Sequence, residues 1–163
     1  PPWQRMQVLA DFESPYSRLI HDLKCHQRAL SGRLLGQLLA QRLQPSYPEA
    51  ILPVPLHWWR QLCRGYNQAT EIARGLQDML NIPVDNLTLR RLRATDSQTH
   101  LNRRQRKQNL HGAFAARPMA YRHVALLDDV ITTGTTMTEL TRLLHAQGVT
   151  RVEVWAACRT LEH

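Results

Sequence analysis

Hydrophobic positions along the chain recur with two different periods, and the two alternate. Val8, Ala10 and Phe12 share one parity in residues 6–12 and predict a short strand. After Ser14-Pro15, Leu19, Ile20 and Leu23 mark one face of a first helix. Leu30, Leu34, Leu35, Leu38, Leu39 and Leu43 recur at spacings of three and four, which predicts a second helix that stops before Pro45. The apolar run from Ala50 through Val54 is closed by prolines and predicts a buried strand. Ile72, Ala73, Leu76, Met79 and Leu80 predict a third helix ending near Asn81 and Pro83. An extended stretch follows over residues 84–92. Val124-Ala125-Leu126-Leu127 then predicts a buried strand, and Met137, Leu140, Leu143 and Leu144 a helix ended by Gly148. Val152, Val154 and Ala156 alternate in a last strand. Strand, helix and strand in this rhythm describe an α/β protein with a parallel sheet flanked by helices.

Composition narrows the class. With 163 residues, 43% hydrophobic and 21% charged, the chain suits one folded domain with an ordinary core. No apolar run approaches the roughly eighteen residues of a membrane span and no signal-peptide pattern opens the chain, so a cytoplasmic protein without a membrane partner is expected. Cys25, Cys63 and Cys158 form no CxxC pair, and the eight histidines form no HExxH pattern. Neither a zinc ribbon within this chain nor a disulfide framework is therefore expected. The chain opens on Pro1-Pro2-Trp3 without a methionine, and Leu161-Glu162-His163 resembles a purification-tag remnant. Both ends are expected to be cut or engineered.

The net charge is +8, and 19 of the 21 cationic residues are arginine. The planar guanidinium suits phosphate oxygens, whether of nucleic acid or of a metabolite, while a composition that simply favours arginine is the plain alternative. The charge is not spread evenly. Residues 90–107 hold seven cationic side chains against Asp96 alone, and so six of the eight net charges.

One stretch carries chemistry: Val124-Ala125-Leu126-Leu127-Asp128-Asp129-Val130-Ile131-Thr132-Thr133-Gly134-Thr135-Thr136. An apolar strand runs into two carboxylates, then a Thr/Gly loop, then a helix. In an open parallel sheet the carboxyl ends of the strands are where ligands bind. N–H groups at the helix start and threonine hydroxyls suit a phosphate monoester, and the carboxylates can accept from sugar hydroxyls or hold Mg²⁺ through water. An Asp-Asp pair alone is usually a solvated turn and a Thr/Gly cluster alone a helix cap; their joint spacing points to a ribose 5-phosphate site. GxxxxGK[ST] and GxGxxG are both absent.

This stretch resembles the phosphoribosyl pyrophosphate (PRPP) motif of type I phosphoribosyltransferases. The resemblance extends over most of the chain to the ComF/GntX, competence protein F-like branch. It rests further on Pro53-Val54-Pro55 with Arg64-Gly65-Tyr66-Asn67-Gln68, and on Arg93-Ala94-Thr95 with Gln98, Leu101, Arg104 and Asn109. Many members of that branch carry an N-terminal four-cysteine zinc ribbon, which this chain lacks. The resemblance implies a core over residues 46–160 preceded by a small N-terminal hood over residues 1–45, with Lys24 a contributor to acceptor binding. It implies that Asp128 and Asp129 are the catalytic pair, binding the ribose 2′- and 3′-hydroxyls and positioning Mg²⁺ through ribose or water. Thr132, Thr133, Gly134, Thr135 and Thr136 would cradle the 5′-phosphate. Arg60, Arg64 and Gly65 would face the pyrophosphate, and Arg93, Thr95, Gln98 and Arg104 would belong to a mobile loop closing over the site. The implied reaction is Mg²⁺-dependent transfer of phosphoribosyl from PRPP to an acceptor that the sequence does not identify. A nucleic-acid-associated competence factor on the same fold, binding single-stranded DNA, is the alternative; a homodimer is a further expected assembly.

Overall fold

The computed structural model describes residues 1–25, 28–56, 65–93 and 112–160. Strands β1 (Arg5–Asp11), β2 (Ala50–Pro53), β5 (His123–Ile131) and β6 (Arg151–Arg159) form a wholly parallel sheet in the order β1-β6-β5-β2. Helices α1 (Tyr16–Cys25), α2 (Ala29–Arg42) and α3 (Gln68–Leu80) cover one face. Helix α4 (Thr135–Ala146) covers the other, with an antiparallel ribbon of β3 (Leu89–Arg91) and β4 (Phe114–Ala116) beside it.

The alternation of side chains along each strand divides the core in two. Leu52, Val124, Leu126 and Val154 pack toward α4, where they meet Met137, Leu140, Leu144 and Phe114. Ile51, Ala125, Leu127 and Trp155 pack toward Ile20, Leu35, Ile72 and Leu76 on the three-helix side. Because both faces are covered, β6 is buried at every position from Val152 through Cys158, and not only at the alternate residues that its pattern suggested. In β1 the buried side chain is Leu9, of the opposite parity to Val8, Ala10 and Phe12. Phe12 lies beyond the strand and is 41% exposed.

The largest departure from the sequence pattern is in α2. Its buried residues are Gly32, Leu35, Gly36 and Leu39, while Leu30 and Leu34 face outward. The reason is how closely α2 and α3 approach. A Cβ on Gly36 would stand 2.0 Å from the Ile72 carbonyl oxygen, and one on Gly75 would stand 2.0 Å from that of Arg33. Two backbones at van der Waals contact admit only glycine at the crossing. The buried face therefore follows the glycines, and the leucine repeat exceeds it.

Residues 1–45 supply the sheet's edge strand and two of the three helices on one face. Their contribution to the site comes from Lys24 at the end of α1, from Phe12 and from the Trp3 ring. Among the described residues, no helix is long and apolar enough to cross a membrane, and Cys25 and Cys158 are free thiols.

Candidate functional site

The carboxyl ends of the strands open onto a cleft of about 450 Å³. Its floor is the end of β5, which runs past both aspartates to Ile131. Strand alternation sends Asp128 and Asp129 to opposite faces. Asp129 takes the parity of Ala125 and Leu127, toward the three helices. There Lys24, in the last turn of α1, sets its Nζ 2.8 Å from Asp129 Oδ2. Tyr66 steadies the same corner by donating its hydroxyl to the Leu23 carbonyl.

Each aspartate also accepts the backbone N–H that follows it, Asp129 N to Asp128 Oδ1 at 2.8 Å and Val130 N to Asp129 Oδ1 at 2.7 Å. Burial, together with the Asp129 carboxylate next to it, pushes the Asp128 carboxyl well above the usual carboxylate range. Lys24 and the backbone N–H act against that shift without cancelling it. Ionising both members of the pair is therefore unfavourable, and hydroxyl donors or a cation beside them would relieve it.

The Thr/Gly loop turns at Gly134, whose φ of 71° lies in the left-handed region that favours glycine. Helix α4 starts directly after it. Thr138 gives both its N–H and its hydroxyl to the Gly134 carbonyl, at 2.9 and 3.0 Å, and the Thr133 and Thr135 hydroxyls share a bond of 2.8 Å. The N–H groups of the preceding turn have no partner within the helix, and they face the end of the cleft where the helix dipole is positive. This is an anion cradle. The Trp3 ring packs behind it, 3.3 Å from where a Cβ on Gly134 would stand.

Across the cleft, α3 begins on the Asn67 cap. Its side chain accepts from Ala69 N at 3.0 Å and donates to the Val54 carbonyl at 2.9 Å, which fixes the segment leaving β2 against the helix start. Gln68, 3% exposed, and Arg91, at the end of β3, complete this wall. The Arg91 guanidinium lies 5.4 Å from the centroid of the Phe114 ring. Arg91 also lines an adjoining cleft of about 740 Å³ with Arg74, Arg90 and Gly65.

The structure thus brings Asp128, Asp129 and Thr132 through Thr136 into one cleft and sets Gly65, with a φ of 78°, in the adjoining one. Arg93 is exposed and lines neither. Arg60, Arg64, Thr95, Gln98 and Arg104 lie outside the described residues. Sequence reasoning assigned no site role to Phe12, Gln68 or Arg91; it expected Lys24 to contribute to acceptor binding, and the structure sets Lys24 on the cleft in contact with Asp129. No periodicity could signal that contact, because residues 24 and 129 meet only through the packing of α1 on the sheet.

The described residues hold no group of three or more His, Cys, Asp or Glu side chains that could hold a metal. What they offer Mg²⁺ is the acid pair, one member of which already has an ammonium partner. That suits an ion that brings most of its coordination from water and phosphate oxygens.

A parallel sheet with an acid pair and an anion cradle at its carboxyl end, flanked by helices, defines the type I phosphoribosyltransferase fold. A family model described as the phosphoribosyl transferase domain matches residues 62–162, and the chain belongs to that family. It is 41% identical to the DNA utilization protein YhgH of Escherichia coli (strain K12) over 169 residues, covering 99% of this chain and 74% of that protein. It is 39% identical to competence protein F of Haemophilus influenzae over 170 residues, covering 98% and 74%. Among solved structures, the glutamine PRPP amidotransferase of B. subtilis superposes with a TM-score of 0.53 at 23% identity. That match covers 77% of this chain but a quarter (25%) of the amidotransferase, and it speaks for the fold.

Proposed function

We propose that the cleft binds PRPP and that the protein transfers its phosphoribosyl group to an acceptor, releasing pyrophosphate. The observation that carries this reading is the anion cradle at the start of α4 beside the Asp128–Asp129 pair, within one cleft. The cradle takes the 5-phosphate through backbone N–H groups and threonine hydroxyls. The carboxylates accept from the 2- and 3-hydroxyls of the ribose and so fix the sugar. Breaking the C1–oxygen bond develops positive charge on the ribose ring and negative charge on the leaving pyrophosphate. Carboxylates below the ring stabilise the first and guanidinium donors the second. Bound Mg²⁺ would neutralise pyrophosphate oxygens, with Asp128 and Asp129 as the residues that hold it through ribose hydroxyls or water. Titration calorimetry tests this. Mg²⁺-dependent PRPP binding at millimolar affinity or better is expected, and it should fall at least tenfold in the Asp128→Asn, Asp129→Asn double variant. Screening acceptors by pyrophosphate release then tests turnover.

A role in competence, on the same fold, is supported by the names of the relatives in Escherichia coli and Haemophilus influenzae. The arginine-rich residues 90–107 supply the electrostatics that contact with single-stranded DNA requires. Affinity for a single-stranded oligonucleotide should fall steeply with salt, and charge reversal at Arg103, Arg104 and Arg106 should weaken it. Unchanged affinity in that variant would remove the DNA reading and leave the PRPP reading intact.

A further inference from the structure

Two adjacent amides at the start of α3 are used in opposite ways. Asn67 spends both ends of its side chain within the protein, on Ala69 N and on the Val54 carbonyl. Gln68, the next residue, is 3% exposed and lines the cleft, yet its amide nitrogen is buried without a hydrogen-bond partner among the described residues. A buried N–H donor left unpaired costs stability, and nearly all such groups in folded proteins find a partner. Gln68 therefore holds a donor in reserve at one particular wall of the site. That wall lies across the cleft from the phosphate cradle, on the β2 side of the acid pair. It is formed by the start of α3, whose dipole favours an anion, and by Arg91, whose guanidinium sits by the Phe114 ring.

We infer that Gln68, with Arg91 beside it, is a specificity-determining residue that recognises the anionic substituent on ribose C1, and so separates PRPP from ribose 5-phosphate. The inference rests on the PRPP reading of the cleft and adds the residues that read its second anionic group. The 5-phosphate and the ribose hydroxyls are common to both compounds and engage the opposite wall and the floor. Only the C1 pyrophosphate reaches the α3 side. Its oxygens accept the Gln68 N–H, which has no partner among the described residues, and they face the Arg91 charge. A neutral amide suits this position because it can be buried without a counter-charge, which a lysine could not.

Gln68→Leu keeps the size of the side chain and removes the donor. In calorimetry with Mg²⁺, the variant should bind PRPP about tenfold more weakly and ribose 5-phosphate within twofold of the unaltered protein. Its melting temperature without ligand should be unchanged or higher, because an unsatisfied group has been removed. Arg91→Met should show the same selectivity with a larger loss for PRPP. Equal weakening of both ligands would overturn the assignment to the C1 substituent. Undiminished PRPP affinity with a lower melting temperature would make Gln68 structural and overturn it as well. The unaltered protein separates the two proposals: if it binds neither compound, the PRPP reading fails and this one with it. If it binds both and the variant loses no selectivity, only the role of Gln68 fails.

Discussion

The two ends of one parallel sheet treat their carboxylates in opposite ways. At the amino end, Glu153 on β6 is fully buried and fully partnered. It accepts from Ser46 Oγ at 2.6 Å, Arg151 Nη2 at 3.0 Å, Trp155 Nε1 at 3.1 Å and Gln7 Nε2 at 3.3 Å, with His123 Nε2 at 3.2 Å. These partners overcome its burial and hold it below the usual carboxylate range. At the carboxyl end, Asp128 and Asp129 stand side by side with Lys24 as the one cation paired to them among the described residues, and burial pushes Asp128 up. Neighbouring strands carry both: Glu153 on β6 pairs with Ala125 on β5, three residues before Asp128, so a short run of sheet separates a carboxylate that completes the fold from a pair that strains it. A group whose partners all come from the protein is structural; a group left short of partners is waiting for something the protein does not supply.

That contrast breaks first if Glu153→Ala is tolerated. Removing this carboxylate orphans the Trp155 N–H and leaves the Arg151 and His123 side chains without their acceptor. Denaturant unfolding should show a loss of about 3–5 kcal/mol. Asp128→Asn should do the reverse: unfolding stability at neutral pH unchanged or raised by about 1 kcal/mol, with PRPP affinity reduced at least tenfold. A destabilised Asp128→Asn protein would end the reading of a strained pair.

Smaller still is the coupling of Lys24 to Asp129. A double-mutant cycle with Lys24→Met and Asp129→Asn should return about 1 kcal/mol, because the ammonium is about one-third (34%) exposed and screened.

Acid sharpens the comparison with the smallest effects. Glu153, held low in the folded state, gives stability that is present above its unfolded value and lost as pH falls through its folded one. Asp128, held high, costs stability above its folded value and returns it as pH falls. In urea titrations across the acid range, Glu153→Gln should flatten the loss of stability and Asp128→Asn should steepen it. The Cys158 thiol, raised to about 11 by burial and by the Asp129 and Asp11 carboxylates, stays protonated throughout and takes no part.

How much of this was legible in the chain depended on contiguity. The aspartates, the Gly134 turn and the start of α4 lie within nine residues, so their strand–loop–helix spacing could be read directly, and the structure sets them in one cleft. The arginine-rich stretch was equally visible, yet its described members divide: Arg91 lines the cleft while Arg93, an exposed residue, does not. Arg91 ends β3 beside the Phe114 ring of β4 whereas Arg93 lies past the strand, a distinction that charge counting could not make. The leucine repeat of α2 located the helix but misjudged its buried side, because Gly32, Gly36 and Gly75 decide how closely two backbones pass.

The sequence by itself determined the order of the main-sheet strands and the helices, the parallel α/β class and the local shape of the anion cradle, since all of these follow from periodicity and turn chemistry between near neighbours. Only the tertiary structure decided which residues surround that cradle. Lys24 meets Asp129 across more than a hundred residues of chain, Gln68 lines the cleft with a donor unpaired among the described residues, and Glu153 gathers partners from four separate segments. Those meetings are set by helices packing on a sheet, where a few ångströms of approach decide which polar groups are satisfied and which are left for a ligand.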